Sequence, residues 1–328
     1  MIAEMSQVGL VVIGRNEGDR LRKCLLSVVG VAGKVVYVDS GSTDSSVNMA
    51  SALGATVVAL DMAIPFTAAR ARNEGFMCLR ETAPILDYVQ FVDGDCEVVR
   101  GWLGNAARFL DEHPQVAVVC GRRRERFPDQ SVYNMLCDIE WDTPLGETKA
   151  CGGDALMRAN AFEQVGKYND SLIAGEEPEL CVRFRAAGWK IWRLGEEMTL
   201  HDAAISRFGQ WWKRTHRSGY AYAQGAHLHG AWPEKHRIKE SRRIWIWGMV
   251  IPFVTINLAI WLGGWGLTML LIYPVQTVRL ALRGKRSKRE NWWQALFLVL
   301  GKFPEALGQL NFLYHNLAGK NARLIEYK

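Results

Sequence analysis

Two aspartates separated by a glycine, Asp93-Gly94-Asp95, are the residues of this chain best suited to hold a metal ion. They follow the apolar run 88–92, which has the composition of a buried strand. Open α/β sheets bind ligands beyond the carboxyl ends of their strands, and paired carboxylate oxygens at that edge suit Mg²⁺ or Mn²⁺. The pair therefore predicts a site for a divalent ion that carries a diphosphate.

A second acidic strand end lies upstream, where the apolar run 35–38 ends at Asp39. The polar residues 40–44 that follow also fit a turn that opens a helix. Because a carboxylate accepts hydrogen bonds from base N–H or ribose hydroxyl groups, we expect Asp39 to contact a nucleotide. The two acidic strand ends together predict a nucleotide-diphosphate site.

The elements that must position these acids alternate between strands and helices over residues 1–120. Between the first two strands, apolar residues recur with the spacing of one helix face at Leu21, Cys24, Leu25, Val28 and Val29. This alternation predicts βαβ units, and hence an α/β fold with a mainly parallel sheet flanked by helices. The predicted strands are 8–13, 35–39, 56–60, 88–92 and 116–120, followed by a helix over 177–187 and a strand over 190–194.

The charge of the chain is concentrated in two short segments. The formal net charge is +6, while residues 234–243 hold five Lys or Arg against two Glu and residues 283–290 hold five against one. Basic segments that flank an apolar stretch are typical of anchoring at anionic lipid headgroups, and their confinement argues against a nucleic-acid partner. The seven cysteines include no Cys-x-x-Cys pair, which favours a reducing compartment over a disulfide framework or a zinc site.

Residues 244–278 contain no charged side chain. One spanning helix needs about 20 residues, and two with a turn need slightly more than this stretch offers. Gly263-Gly264 marks a turn near its middle, and most of the thirteen tryptophans lie beyond residue 210, as expected near a membrane interface. We expect a membrane hairpin, with a helical pair that dips into one leaflet or packs on a partner as the alternative.

The ends of this hairpin are predicted to share one side of the membrane, because both are basic. The N-terminus lacks the basic and apolar regions of a signal peptide, so we expect the N-terminal domain to lie at the cytoplasmic face of the cell (inner) membrane. The segment 292–317 is apolar but interrupted by Lys302, Pro304 and Glu305, which favours an interfacial helix over a third span.

Five motifs resemble, in order and spacing, those of the inverting family 2 glycosyltransferases, and the resemblance covers about residues 8–225. It implies the GT-A fold and divides the chain into a nucleotide-sugar-binding catalytic domain over 1–230, a basic-flanked membrane hairpin over 231–291 and an interfacial helical tail over 292–328. The motifs are Val11-Val12-Ile13-Gly14-Arg15-Asn16-Glu17, Val38-Asp39-Ser40-Gly41-Ser42-Thr43-Asp44, Ala69-Arg70-Ala71-Arg72-Asn73-Glu74-Gly75, Asp93-Gly94-Asp95 and Gly175-Glu176-Glu177-Pro178-Glu179-Leu180.

The resemblance implies that Arg15, Glu17 and Asp39 hold the base and ribose of the donor. Arg72 is the expected phosphate contact, because only one of Arg70 and Arg72 can face the site squarely from a helix, and a guanidinium pairs well with phosphate oxygens. A surface salt bridge is the alternative role for Arg72.

The resemblance also assigns the metal ligands. Asp95 is the more direct ligand, Asp93 contacts both metal and ribose, and His201 takes the position from which some relatives supply a third ligand. An ordinary core or surface histidine is the alternative for His201. The ion, Mg²⁺ or Mn²⁺, would neutralise charge that develops on the diphosphate leaving group.

Inverting transfer needs a base that takes the proton of the acceptor hydroxyl as this attacks the anomeric carbon. Family members usually carry Glu-Asp here, and this chain carries Glu176-Glu177, so we expect Glu177 to be the base with Glu176 as the substitute. Crowding of acids can raise a pKa towards the working range. An acidic first turn of a helix, favoured by the macrodipole, is the alternative explanation.

The segment that holds Gly153 and Asp154 resembles the acceptor-side glycine turn of the family, where missing side chains let a sugar approach the backbone. Arg214 and Arg217 are candidate diphosphate contacts, although a basic face on a membrane-side helix explains them as well.

The sequence therefore predicts a metal-dependent glycosyltransferase of hexosyltransferase type that moves a sugar from a nucleotide-diphosphate donor to a hydroxyl. The expected acceptor is a lipid-linked or envelope glycan precursor, as in polysaccharide biosynthesis for the cell envelope. A sugar-1-phosphate nucleotidyltransferase and a catalytically silent membrane scaffold are the competing hypotheses.

Overall fold

A computed structural model describes residues 7–319 of the chain. They form two compact units, one of residues up to 127 together with 137–203, and the other of 128–136 together with the residues from 204 onward. This division is drawn differently from the predicted domain boundaries at 230 and 291, which stay predictions. Residues 320–328 of the predicted helical tail lie outside the described residues.

The first unit is built on one nine-stranded sheet with the strand order β3-β2-β1-β4-β8-β6-β9-β5, and β7 pairs with β9. The strands are β1 Val8–Gly14, β2 Lys34–Asp39, β3 Thr56–Ala59, β4 Tyr88–Asp93, β5 Cys96–Val98, β6 Val116–Glu125, β7 Gly146–Thr148, β8 Ala155–Arg158 and β9 Lys190–His201. The helices around them are α1 Asp19–Val28, α2 Ser46–Ala52, α3 Ala68–Thr82, α4 Trp102–Glu112, α5 Val132–Trp141, α6 Ala159–Gln164 and α7 Glu176–Ala186; the first half of α5 belongs to the second unit.

The predicted α/β class is confirmed, and the sheet has a parallel and a mixed half. The four strands β3, β2, β1 and β4 are parallel to one another. Beyond them, β8 runs antiparallel to both β4 and β6, while β5 and β7 run antiparallel to β9. The strands β5, β7 and β8 were not predicted because each is only three or four residues long and includes a charged residue, whereas the equally short β3 is uncharged.

The carboxyl ends of the three central parallel strands lie level with one another. In the register of the sheet, Gly14 of β1 is paired with Asp39 of β2, and Ile13 of β1 is paired with Asp93 of β4. The chain passes from β1 to β2 on one side of β1, and β4 is later added on its other side. The strand order therefore reverses at β1. Ligands of open α/β sheets bind at such a point, so the fold brings the two predicted acidic strand ends to one crevice.

Helix α3 packs closely on the parallel strands at Gly75. A Cβ atom at this position would lie 2.4 Å from Cγ1 of Val11 and 2.8 Å from Cγ2 of Val38. The helix starts at Thr67, whose hydroxyl accepts a hydrogen bond from the backbone N–H of Arg70 at 3.1 Å. The close approach places the N-terminal half of α3, with Arg72, at the carboxyl edge of the sheet.

The second unit is helical. Its elements are α8 Phe208–His229, α9 Ile238–Trp245, a π-helical turn Ile246–Val250, α10 Ile251–Leu262, a 3₁₀ segment Gly263–Leu271, α11 Ile272–Arg283, α12 Lys288–Leu300 and α13 Lys302–Leu317. Helices α8 and α13 pack backbone to backbone, because a Cβ atom at Gly219 would lie 2.0 Å from the carbonyl oxygen of Glu305 and one at Gly308 would lie 2.1 Å from that of His216.

One helical stretch among residues 7–319, Ile238–Arg283, is long and apolar enough to cross a membrane. Its most apolar window has a mean hydropathy of 1.8, and only 22% of that window is buried. The chain turns within this stretch at Gly263, which has a positive φ of 60°. Beyond the turn the 3₁₀ segment returns along α10, and a Cβ atom at Gly266 would lie 2.2 Å from the carbonyl carbon of Leu258. The predicted turn near Gly263-Gly264 is therefore present.

We expect Gly75→Ala to destabilise the protein, because the added methyl group overlaps the two valines and overpacking of a core costs about 1–3 kcal/mol. Thermal unfolding followed by circular dichroism should show a lower Tm. The matched control is Gly209→Ala near the start of α8, where nothing lies within 4 Å of the added Cβ atom. A Gly75→Ala variant that melts with the wild type would show that α3 does not depend on this contact.

Candidate functional site

The Arg72 guanidinium contacts three carboxylates at the carboxyl edge of the sheet. Its Nη2 atom donates to Oδ1 of Asp93 at 2.8 Å, and its Nη1 atom donates to Oε1 of Glu176 at 2.8 Å and lies 3.1 Å from Oε1 of Glu177. Arg70 points elsewhere, since its Nη atoms donate to the carbonyl oxygens of Ile64 and Asp61. Of the two arginines, the structure thus places the predicted one at the site. We call Arg72, Asp93, Glu176 and Glu177 the Arg72 cluster.

The two glutamates of the Arg72 cluster stand at the start of α7. Gly175, with φ 79°, takes the left-handed conformation that turns the chain into this helix. Glu177 is the more accessible of the two, since 13% of its side chain is exposed against 8% for Glu176. Burial, and then the neighbouring Glu176 carboxylate, raise the pKa of Glu177 to about 7, against the opposing effect of Arg72. Glu177 can therefore both accept and release a proton near neutral pH.

Gly153 lies against the Arg72 cluster. A Cβ atom at this position would lie 2.7 Å from Nη2 of Arg72, 3.1 Å from Oε1 of Glu177 and 3.2 Å from Oδ2 of Asp93. Its backbone thus borders the predicted base directly. The predicted contact of Gly153 with an acceptor stays a prediction.

Asp93 is held between two arginines. In addition to Arg72, Nη2 of Arg123 donates to Oδ2 of Asp93 at 3.2 Å. Burial works against ionisation of this carboxyl, but the two guanidinium groups outweigh it and hold the pKa of Asp93 below its usual range. Asp93 is consequently an anion at neutral pH, while its neighbour Glu177 is not fully ionised.

Asp154 lies beneath the site and is fully buried. Its carboxylate accepts hydrogen bonds from Nε of Arg123 at 2.8 Å, from the Thr199 hydroxyl at 2.6 Å and from the backbone N–H of Asp93 at 3.3 Å. These donors all come from the chain itself. The placement favours a role in fixing Arg123 and Asp93 over the predicted contact with an acceptor.

Asp95 and His201 meet because β5 pairs with the end of β9. In that register Cys96 is opposite His201, and Nε2 of His201 lies 3.3 Å from Oδ1 of Asp95. Asp95, Cys96 and His201 form one group of metal-ligand atoms within 4.8 Å of one another, and Asp93, Cys96 and Asp154 form a second. The predicted ligands Asp95 and His201 are therefore adjacent, whereas the oxygens of Asp93 belong to the neighbouring group.

This group fits a divalent ion in its donor types. A carboxylate oxygen and an imidazole nitrogen are both ligands that Mn²⁺ accepts, and carboxylate alone suits Mg²⁺. Nδ1 of His201 lies 3.7 Å from Oε2 of Glu125, which is an ion-pair distance and too long for a hydrogen bond. Burial raises the pKa of the Cys96 thiol well above its ordinary value, so sulfur is the weakest donor here.

The predicted nucleotide side lies at the ends of β1 and β2. Asp39 is buried, and its carboxylate accepts hydrogen bonds from the backbone N–H groups of Gly41 and Ser42 at 3.0 and 2.9 Å and from the Tyr37 hydroxyl at 3.0 Å. It thus shapes its own turn, as the alternative interpretation expected. Arg15 is exposed in the loop after β1, and Glu17, in the same loop, pairs with Arg20 at 2.7 Å.

Arg214 and Arg217 lie on α8 in the second unit, where both are half-buried. Their spacing of three residues puts them on one face of the helix. Their predicted contact with a diphosphate stays a prediction.

Sequence reasoning missed two residues of the site. Asn16, with φ 54°, joins the loops after β1 and β2, because its side-chain oxygen accepts from the backbone N–H of Thr43 at 2.7 Å and its own N–H donates to the Ser42 hydroxyl. Arg123 was missed although three successive arginines at 122–124 end a strand, and alternation on a strand turns the middle one to the opposite face from its neighbours.

Comparison with known proteins gives matches in sequence and in structure. The model of the family described as "Glycosyl transferase family 2" matches residues 10–165. A TPR repeat-containing protein from Synechococcus elongatus is 33% identical over 214 residues, covering 55% of this chain and 51% of that protein. The pre-mycofactocin glycosyltransferase of Mycobacterium tuberculosis is 26% identical over 209 residues, covering 60% of this chain and 42% of that protein. The chain spans about half the length of the curated relatives it matches.

A solved structure extends the similarity beyond the family match. It is the mannosyltransferase PcManGT from Pyrobaculum calidifontis in complex with GDP-Man and Mn²⁺. The TM-score is 0.63 at 18% sequence identity, and the match covers 93% of this chain and 87% of the mannosyltransferase chain. At this identity the similarity concerns the fold, and it confirms the GT-A-like architecture. The family match, the fold and the order of the acidic motifs agree, so the chain is similar, through residues 10–165, to glycosyl transferase family 2.

Proposed function

We propose that this protein is a metal-dependent inverting glycosyltransferase that moves a sugar from a nucleoside diphosphate to a hydroxyl group. The observation that carries the proposal is the Arg72 cluster. Its Arg72 binds Asp93, on the predicted donor side, and Glu176 and Glu177, on the predicted acceptor side, at 2.8 to 3.1 Å. Groups for leaving-group stabilisation and for proton removal thus share one crevice, which an in-line displacement requires.

The base in this proposal is Glu177, with Glu176 held more firmly on Arg72. A general base works best when its pKa lies near the operating pH, and the pKa of Glu177 is raised to about 7. Gly153, the proposed acceptor contact, lies directly beside this carboxylate. Asp154 acts indirectly, by fixing Arg123 and Asp93.

The metal ion in this proposal is Mn²⁺ or Mg²⁺, held by Asp95 and His201 with Asp93 nearby. When bound, it would neutralise the charge that builds up on the departing diphosphate. The similar mannosyltransferase was solved with GDP-Man and Mn²⁺, which supports a nucleotide-sugar donor and this class of ion. Arg15, Glu17 and Asp39 are the proposed base and ribose contacts, and Arg214 and Arg217 the proposed diphosphate contacts.

The acceptor we propose is a lipid-linked or envelope glycan precursor, and the enzyme is of hexosyltransferase type. Support comes from the apolar stretch Ile238–Arg283 in the second unit and from the basic segments at its ends. Attachment to the cytoplasmic face of the inner membrane would keep the catalytic domain of the same chain close to acceptors in the membrane.

The direct test is a donor screen with purified protein, Mn²⁺ or Mg²⁺, a lipid extract and a panel of UDP-, GDP- and dTDP-sugars. We expect release of the free nucleoside diphosphate with one of these donors and only when a divalent ion is present. Release of pyrophosphate from a nucleoside triphosphate and a sugar 1-phosphate would indicate a nucleotidyltransferase instead. No turnover with any donor would favour the scaffold.

We expect Asp95→Asn to lower donor turnover by about 100-fold or more, because a direct ligand of the ion is lost. Mn²⁺ binding, measured by electron paramagnetic resonance, should weaken in parallel. The control is Asp19→Asn, which removes an exposed carboxylate paired with Arg22 and Lys23. Wild-type Mn²⁺ affinity in Asp95→Asn would remove this residue from the ligand set.

We expect Glu177→Gln to stop transfer while donor affinity stays nearly unchanged. In the wild type, activity should rise with pH through about 7 as Glu177 ionises, and this rise should be absent in the variant. Because the folded-state pKa lies above the ordinary value, ionisation of Glu177 costs stability as pH rises through about 7. The variant should therefore melt no lower than the wild type at alkaline pH.

The matched control for this variant is Glu163→Gln, at an exposed surface pair with Arg80, which should behave as the wild type. A loss confined to donor binding, with the pH profile unchanged, would contradict the role of Glu177 as base.

A further inference from the structure

We propose that the hairpin Ile244–Val278 crosses the whole thickness of a bilayer, with its turn at Gly263 on the opposite side from its two ends. The inference rests on the membrane attachment proposed above but not on glycosyl transfer. It distinguishes a full span from entry into one leaflet, which the sequence left open. Four observations on the second unit carry it.

The first observation is the length of the two limbs. From Ile244 to Leu262 the chain is helical, and at ~1.5 Å per residue this limb is about 28 Å long. The return limb begins with the 3₁₀ segment Gly263–Leu271, which rises ~2.0 Å per residue, and reaches a similar length, about 28 Å, at Val278. The hydrocarbon core of a bilayer is about 30 Å thick. Each limb matches the full core and is about twice as long as one leaflet requires.

The second observation is that aromatic side chains occupy both ends of the hairpin. Trp261 and Trp265 flank the turn and are 82% and 81% exposed. Near the base, the Tyr273 hydroxyl donates to the carbonyl oxygen of Trp247 at 2.6 Å, and their rings are in contact. Indole and phenol rings prefer the membrane–water interface. A turn at the bilayer centre would bury both exposed indoles far from any headgroup, whereas a full span places them at the second interface.

The third observation concerns four of the polar side chains within the limbs, which bond to their own helical turns; Gln276 is a further polar side chain in the second limb. Each of the four donates to a nearby backbone carbonyl: Thr255 to Ile251 at 2.8 Å, Asn257 to Phe253 at 2.8 Å, Thr268 to Trp265 at 2.7 Å and Thr277 to Tyr273 at 3.0 Å. In hydrocarbon an unbonded polar group costs several kcal/mol. These bonds remove that cost for residues that would otherwise weaken a span.

The fourth observation is the placement of charge. Residues 244–278 are uncharged, and basic residues adjoin both ends, with Arg242 and Arg243 before the hairpin and Arg279 and Arg283 after it. The surface between the ends is apolar and exposed, as at Phe253, Ile260 and Val275. An exposed apolar surface with basic residues at one end fits a lipid bilayer whose headgroups are anionic.

The test is the side from which single introduced cysteines react with a membrane-impermeant maleimide, in spheroplasts that express the full chain. Gly264→Cys reports on the turn, since nothing lies within 4 Å of an added Cβ atom there. Lys285→Cys is the matched variant beyond the basic end. The seven native cysteines all precede residue 204, and six are buried, so wild-type labelling gives the background.

We expect Gly264→Cys to be labelled in sealed spheroplasts and Lys285→Cys to be labelled only after lysis. If the protein stays in carbonate-washed membranes and Gly264→Cys reacts only in detergent, the turn lies inside the bilayer. This result would overturn the full span. Reaction of both variants only after lysis, without detergent, would also overturn it. Recovery of the chain in the soluble fraction would overturn membrane attachment itself, whereas the donor screen alone decides on glycosyl transfer.

Discussion

The arrangement of the site depends on the burial of one guanidinium group. Arg72 is only 2% exposed, and removing a charged group from water is costly unless opposite charges surround it. Carboxylates from the end of β4 and the start of α7 supply this compensation, although about eighty residues of chain separate them. Arg72 therefore fixes the two segments against each other. It reaches them because Gly75, nearly one helical turn later, lets α3 lie close to the parallel strands.

The same cation leaves its acidic neighbours in different states of ionisation. Asp93 lies between Arg72 and Arg123, and its pKa is lowered. Glu177 has Arg72 as its cationic partner and Glu176 beside it, so burial and like charge prevail and its pKa is raised to about 7. Two carboxylates with separated pKa values are what acid–base chemistry requires of one site. The separation follows from the second arginine beside Asp93 and from the Glu176 carboxylate beside the buried Glu177.

How far the sequence predicts this arrangement differs between the two halves of the sheet. The bounds of β1, β2 and β4 were predicted to within one residue, because long buried apolar runs give a strong signal. Since these parallel strands end level with one another, Asp39 and Asp93 could also be predicted to lie at one edge of the sheet. The antiparallel strands gave no such signal. The contacts that depend on their register, such as Arg123 with Asp154, could not be predicted from local pattern, and His201 was placed near Asp95 only through the family resemblance.

The absence of a side chain at Gly153 has a consequence for which residues this position can accept in evolution. Arg72, Glu177 and Asp93 surround the position where a Cβ atom would stand, at 2.7 to 3.2 Å. The Cβ atom of any other amino acid would have to displace one of these charged side chains, which are held in place by their ion pairs with one another. Glycine is therefore required at this position as long as the Arg72 cluster is intact.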